Sequence, residues 1–161
     1  MPHVPDRRDD EVPAAQRQFD LEVKLAVYRH FTEQARRPAA EDVARLVSAA
    51  PSDVLSAFHR LATQRLLVLE NTADIRMAPP FSGVPTQHVA EIDGRRYFAN
   101  CAWDVLGIAA AMHQPATVRS RCEQSGEPYV LEVSVEGPGP SDWIFHCAVP
   151  AAHWWDDVVF T

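Results

Sequence analysis

Lysine is almost missing from this sequence of 161 residues: Lys24 stands alone beside fourteen arginines, against 22 acidic residues, for a net charge of −7. That balance excludes a general nucleic-acid coat, which needs basic residues to neutralise phosphates. Cysteine is scarce and oddly counted, with Cys101, Cys122 and Cys147 far apart and no Cys-x-x-Cys pair. A structural zinc knuckle and a paired disulfide framework are both excluded, and free thiols in a reducing cytosol are expected. No apolar run approaches the roughly 18 residues of a membrane span. The N-terminus, MPHVPDRRDDEVPAAQ, has no apolar core of an export signal and mixes acids with its arginines. Repeats, low-complexity tracts and the His-Glu-x-x-His pattern are also absent. What remains is a cytoplasmic globular protein with 47% hydrophobic residues, enough to bury a sizeable core.

Charge divides the chain into three parts: residues 1–20 carry −2, residues 21–78 carry +1 and residues 79–161 carry −6. The first part, with three prolines and few large apolar side chains, is expected to be a mobile tail over residues 1–19. From Leu21 the spacing of Leu21, Leu25, Tyr28 and Phe31 predicts a helix with one buried stripe and Asp20 as its N-cap. Pro38 ends it. A short helix follows over Ala40–Val47, and Pro51-Ser52 opens a third with Val54, Leu55, Phe58 and Leu61 inward. Leu66–Glu70 and Ile75–Ala78 read as a hairpin. Three helices and a hairpin over residues 20–80 describe a winged-helix-like unit, with Phe81–Thr86 as a linker.

Residues 88–98 predict a strand pair about the turn Asp93-Gly94. Cys101–His113 is apolar nearly all round and predicts a buried helix. Thr117–Arg121, Tyr129–Val135, Trp143–Ala148 and Val158–Thr161 predict strands, and Gly137-Pro138-Gly139-Pro140 a turn with no following helix to cradle a phosphate. The expected class is α+β: a winged-helix-like unit followed by a mixed helix and antiparallel-sheet domain over residues 81–161.

The chemistry concentrates at Asn100-Cys101-Ala102-Trp103-Asp104. Residues three apart share a helix face, so a thiol and a carboxylate meet at one site. A helix beginning near Asn100 would place Cys101 among unpaired N–H groups that favour a thiolate. Burial beside that thiolate would raise the pKa of Asp104 and let it hold or deliver a proton. The alternative is that Cys101 is a small packing residue and Asp104 a first-turn acid facing the helix dipole. His146, His153 and Asp156 lack a metal-ligand spacing, Trp154 and Trp155 read as packing, and Arg119 and Arg121 as a solvated strand face.

The segment FANCAWDVLGIAAAMHQPATVRSRCEQSGEPYVLEVS, residues 98–134, resembles the core of the organomercurial (alkylmercury) lyase family. The resemblance implies a winged-helix-like region ahead of a catalytic domain at residues 81–161, and protonolysis of a carbon–mercury bond to a hydrocarbon and Hg(II). It implies that Cys101 is the mercury-binding nucleophile and Asp104 the proton donor and a further mercury ligand, with Cys122 structural. A thiolate suits a soft metal, and a carboxylic acid suits protonation of the departing carbon. No cofactor is implied. The implied partners are organomercurial small molecules, low-molecular-weight thiols and a mercuric reductase that receives the Hg(II) product.

The family's second catalytic cysteine lies on a later strand, and its equivalent is expected after residues 153–161, at or beyond Thr161. The expectation is therefore a shortened homologue or a cut sequence, with weak turnover or none. Cys147 either substitutes as a second mercury ligand or is a core cysteine on a strand where Trp143, Phe145 and Cys147 share a face. Two other readings stand beside the lyase: a winged-helix transcriptional regulator, whose recognition helix at Ser52–Gln64 offers only Arg60, and an inactive homologue that sequesters thiophilic metals through Cys101.

Overall fold

The helical spacing near Leu21 is realised in a helix that starts earlier and faces elsewhere. A computed structural model of the protein describes residues 12–147 and 149–156, and in it α1 runs over Ala14–Gln34. Residues 14–19, expected in a mobile tail, are helical, and residues 1–11 lie outside the described residues. Pro13 precedes the first turn, so Asp20 is no N-cap: it is buried within the helix and gripped by Arg60. The buried stripe is Val23, Ala26, Val27, His30 and Phe31, whereas Leu21 and Leu25 are 47% and 59% exposed. Ala35, left-handed at φ 53°, ends α1 ahead of Pro38.

Helix α2 spans Ala40–Val47 and α3 spans Pro51–Thr63 with proline in its first turn, where a missing N–H costs nothing. Val54, Ala57, Phe58 and Leu61 form the inner face of α3, and Leu55 is only half-buried. The hairpin is formed by β1 (Val68–Leu69) and β2 (Ile75–Ala78), antiparallel. Its turn is held by Asn71 Oδ1, which accepts from the Ala73 and Asp74 amides at 2.9 Å each.

No linker separates this hairpin from the rest of the sheet. Phe81–Ser82, expected in a loop, forms β3, which pairs with β2 on one side and with β5 (Arg95–Ala99) on the other. Strand β4 (His88–Ile92) returns against β5 through Asp93 and Gly94, both at positive φ as a two-residue hairpin turn requires. With β6 (Ala116–Arg121), β7 (Pro128–Ser134) and β8 (Gly137–Pro138) the described strands make one antiparallel sheet, ordered β1-β2-β3-β5-β4-β6-β7-β8. Its class is α+β.

Helix α4 (Ala102–Met112) lies between β5 and β6 in the chain and packs over β4, β5 and β6. It buries Val105, Ile108 and Ala109 and leaves Trp103 54% exposed, so only one side of the expected buried helix is covered. Phe81 joins the two halves: its ring stacks on Phe31 of α1 at 5.4 Å and tilts against Tyr97 of β5 at 6.1 Å. Tyr28 donates to the Pro79 carbonyl at 2.8 Å and Tyr97 to the Thr32 carbonyl at 2.9 Å, so α1 is tied to the sheet by polar as well as apolar contacts.

The expected strand over residues 143–148 does not form among the described residues. Residues 142–147 have no regular structure, and all are exposed, Ile144 to 88%. Alternation there reflects an irregular exposed run, not a pleated face with a core on one side. The predicted strand at residues 158–161 lies outside the described residues.

Candidate active site

Strand β5 ends at Ala99 and α4 begins at Ala102, so Cys101 falls at the N-cap, with extended φ −144° and its carbonyl accepting from Val105 N–H at 3.1 Å. The helix then brings Asp104 to the same side one turn on. Cys101 Sγ donates to Asp104 Oδ2 across 3.6 Å, and both residues are partly buried. Thiol and carboxyl thus meet where the i,i+3 spacing requires.

Their electrostatics differ in part from the sequence expectation. Burial pushes the Asp104 carboxyl up to about 6, with the Cys101 hydrogen bond opposing only in part. For Cys101 the direction is reversed: its thiol is raised, first by burial and then by the Asp104 charge. The backbone N–H groups of Asp104 and Trp103 do favour the thiolate, as a helix start should, but burial outweighs them. The resting pair is therefore a protonated thiol beside a carboxyl that titrates near neutrality. A soft metal arriving at the sulfur must displace the thiol proton, and the group placed to take it is 3.6 Å away.

The other two cysteines stand apart from this pair in character. Cys122 is half-exposed at the start of the β6–β7 turn, where its amide donates to the Glu127 carbonyl at 2.9 Å. Hydrogen bonds from Ser125 and the Gln124 amide hold its thiol below the usual range. Cys147 is exposed in the irregular segment, which corrects the reading of it as a core cysteine. That segment touches the site's helix through Phe145, whose ring lies 5.5 Å from Trp103.

No group of three or more metal-ligating side chains occurs among the described residues, and His153 instead pairs with Asp156 at 2.9 Å. An apolar cleft of about 450 Å³ runs along the outward side of α4, lined by Trp103, Leu106, Gly107, Ala110 and the turn after β7, and includes neither Cys101 nor Asp104. Arg119 and Arg121 are exposed, Arg119 pairing with Glu91 at 3.2 Å. Arg60, the one arginine of the expected recognition helix, commits its guanidinium to both oxygens of buried Asp20 at 2.6 to 3.1 Å. No helix of the described residues is long and apolar enough to cross a membrane.

Residues 81–161, half of the chain, match the family model of alkylmercury lyase. Over 51 residues the chain is 45% identical to an alkylmercury lyase of Pseudomonas putida, a match covering 32% of this chain and 24% of that protein. Among solved structures, the mercury-bound form of MerB2 is similar with a TM-score of 0.62 and 20% identity, over 83% of this chain and 62% of that one. The chain thus spans less than two thirds of each relative's own length.

Proposed function

The chain belongs to the alkylmercury lyase family, and we propose that its Cys101–Asp104 pair cleaves carbon–mercury bonds by protonolysis. The observation that carries this reading is the 3.6 Å contact between a partly buried thiol and a carboxyl raised to about 6. In the proposed sequence, an organomercury cation R–Hg⁺ meets the Cys101 sulfur, a sulfur–mercury bond forms, and the thiol proton passes to Asp104. The Asp104 carboxylic acid then protonates the carbon, the carbon–mercury bond breaks, R–H leaves, and Hg(II) stays on Cys101 with the regenerated Asp104 carboxylate beside it. Charge and protons balance without a redox step or a cofactor.

A thiolate is a strong donor to a soft metal, and an acid whose pKa lies near working pH both accepts and returns a proton efficiently. A low-molecular-weight thiol present in excess would supply a second sulfur, or Cys147 would, carried on the segment that Phe145 anchors against Trp103. A mercuric reductase in the cytoplasm is the receiver we assign to the released ion. The regulator reading draws no support from α3, whose arginine is already paired.

Purified protein with phenylmercury and excess thiol is expected to release benzene, measured by gas chromatography. Cys101→Ser is expected to abolish release. Mercury bound in one equivalent without any benzene from the native chain would replace catalysis by sequestration.

A further inference from the structure

A second buried polar cluster sits at the end of the sheet from which the chain enters α4. His88, the first residue of β4, is 4% exposed, and its Nδ1 lies 2.6 Å from the hydroxyl of Ser120, itself 5% exposed near the end of β6. The opposite ring nitrogen, Nε2, lies 3.2 Å from Glu123 Oε1, just past β6. A carboxylate only accepts, so Nε2 carries the proton toward Glu123 and Nδ1 accepts from the Ser120 hydroxyl. Burial holds the ring's pKa below its ordinary value, against the pull of Glu123, so the neutral ring with this tautomer is favoured. Gln87 also donates its amide to Glu123. Every polar atom of the imidazole is therefore engaged, and three segments meet on one ring: β4, β6 and the Cys122–Glu127 turn.

The same strand end is tied on its other side. His88 pairs with Ala99 in the β4–β5 ladder, and Thr86 Oγ1 donates to the Ala99 carbonyl at 2.6 Å. Ala99 is two residues before Cys101. Alternation puts Ala99, His88 and Ser120 in one row across the sheet, on the face of Ala90 and Val118 that α4 covers. An apolar side chain would fill this position without burying two ring nitrogens. What the histidine adds is a polar link from the β6–β7 turn to the strand that launches Cys101.

We propose that His88 is a positioning residue for the Cys101–Asp104 pair: bridging Ser120 and Glu123, it holds the end of β4 in place and through Ala99 sets where α4 begins. The proposal rests on reading Cys101 and Asp104 as the reactive pair. It requires that the coupling between thiol and carboxyl depend on a residue that touches neither substrate nor sulfur.

The experiment measures the rate of Cys101 alkylation by iodoacetamide at pH 7 in a Cys122→Ser, Cys147→Ser background, with and without Asp104→Asn. This readout needs no turnover, so it stands whether or not benzene is released from phenylmercury. With His88 intact, Asp104→Asn is expected to speed alkylation about tenfold, because the carboxylate charge 3.6 Å from the sulfur, which helps keep the thiol protonated, is then gone. In His88→Phe the thiol should already react about threefold faster and the further gain from Asp104→Asn should shrink to about threefold, the pair having moved apart. His88→Gln, which still donates to Glu123, should restore most of the original coupling. Ser120→Ala deletes a single hydroxyl, tests the same link if His88→Phe does not fold, and should give an intermediate result. An undiminished tenfold gain in folded His88→Phe, or in Ser120→Ala where the first variant is lost, would overturn the proposal.

Discussion

Asp104 pays for its placement in stability above neutral pH. Burial raises its folded pKa to about 6 from 3.8, so the folded state holds this proton more tightly than the unfolded chain does. Its contribution is then fully present below about pH 4 and lost as pH rises through about 6. Asp104→Asn should flatten that dependence and raise stability at pH 8 by about 1–2 kcal/mol, a figure discounted from the full shift because the group is partly solvated. Urea unfolding of both proteins at pH 4 and pH 8 checks it; equal stability changes at the two pH values would contradict the assignment. At this scale the pair was legible because Cys-x-x-Asp spacing needs only helix geometry. The direction of the thiol shift was not, since burial depends on what α4 packs against. The role of His88 is not legible for the same reason: one histidine at a strand start gives no sign of a serine 32 residues away.

Elements were legible where local signals agreed. The Asp93-Gly94 turn, the proline-opened α3 and the apolar run of α4 all form as their residue types dictate. Helix α1 faces differently from its sequence pattern because its large leucines point outward, while smaller Val23, Ala26 and Val27 are buried on the other side of a helix that packs on α2 and α3. The polar Asp20 on that buried side makes sense only with its partner 40 residues on. Asp20→Ala should lower stability by about 2–3 kcal/mol by leaving Arg60 half-buried without its carboxylate. The strand Phe81–Ser82 hid behind two prolines, a usual sign of a break. Just after it, Gly83 lies so near β2 that an added Cβ would fall 2.0 Å from the Ile75 carbonyl oxygen. Gly83→Ala should therefore cost at least about 2 kcal/mol, read from the same urea midpoints, because a backbone atom cannot move aside as a side chain can. A neutral Gly83→Ala would mean that β2 and β3 are not paired as described.

Among the described residues, the change in charge at residue 79 does not coincide with a break in the sheet, since β2 and β3 pair across it. One sheet runs from the hairpin after α3 to the strands around α4, and Phe81 packs on both α1 and β5. The consequence is that damage to the N-terminal helices should reach the Cys101–Asp104 site. Asp20→Ala is expected to lower the thermal midpoint of the whole chain in one transition, followed by circular dichroism and by tryptophan fluorescence together; two separated transitions would contradict a continuous unit.

In the proposed protonolysis, Asp104 returns to carbon the proton that Cys101 releases to mercury. A single turnover of phenylmercury on Asp104→Asn, with bound mercury and released benzene measured in the same sample, separates that role from simple mercury binding. The expected result is one mercury held per chain through Cys101 and benzene release slowed at least about a hundredfold, the usual weight of a positioned acid. Benzene released at the native rate by a chain without that carboxyl would contradict it.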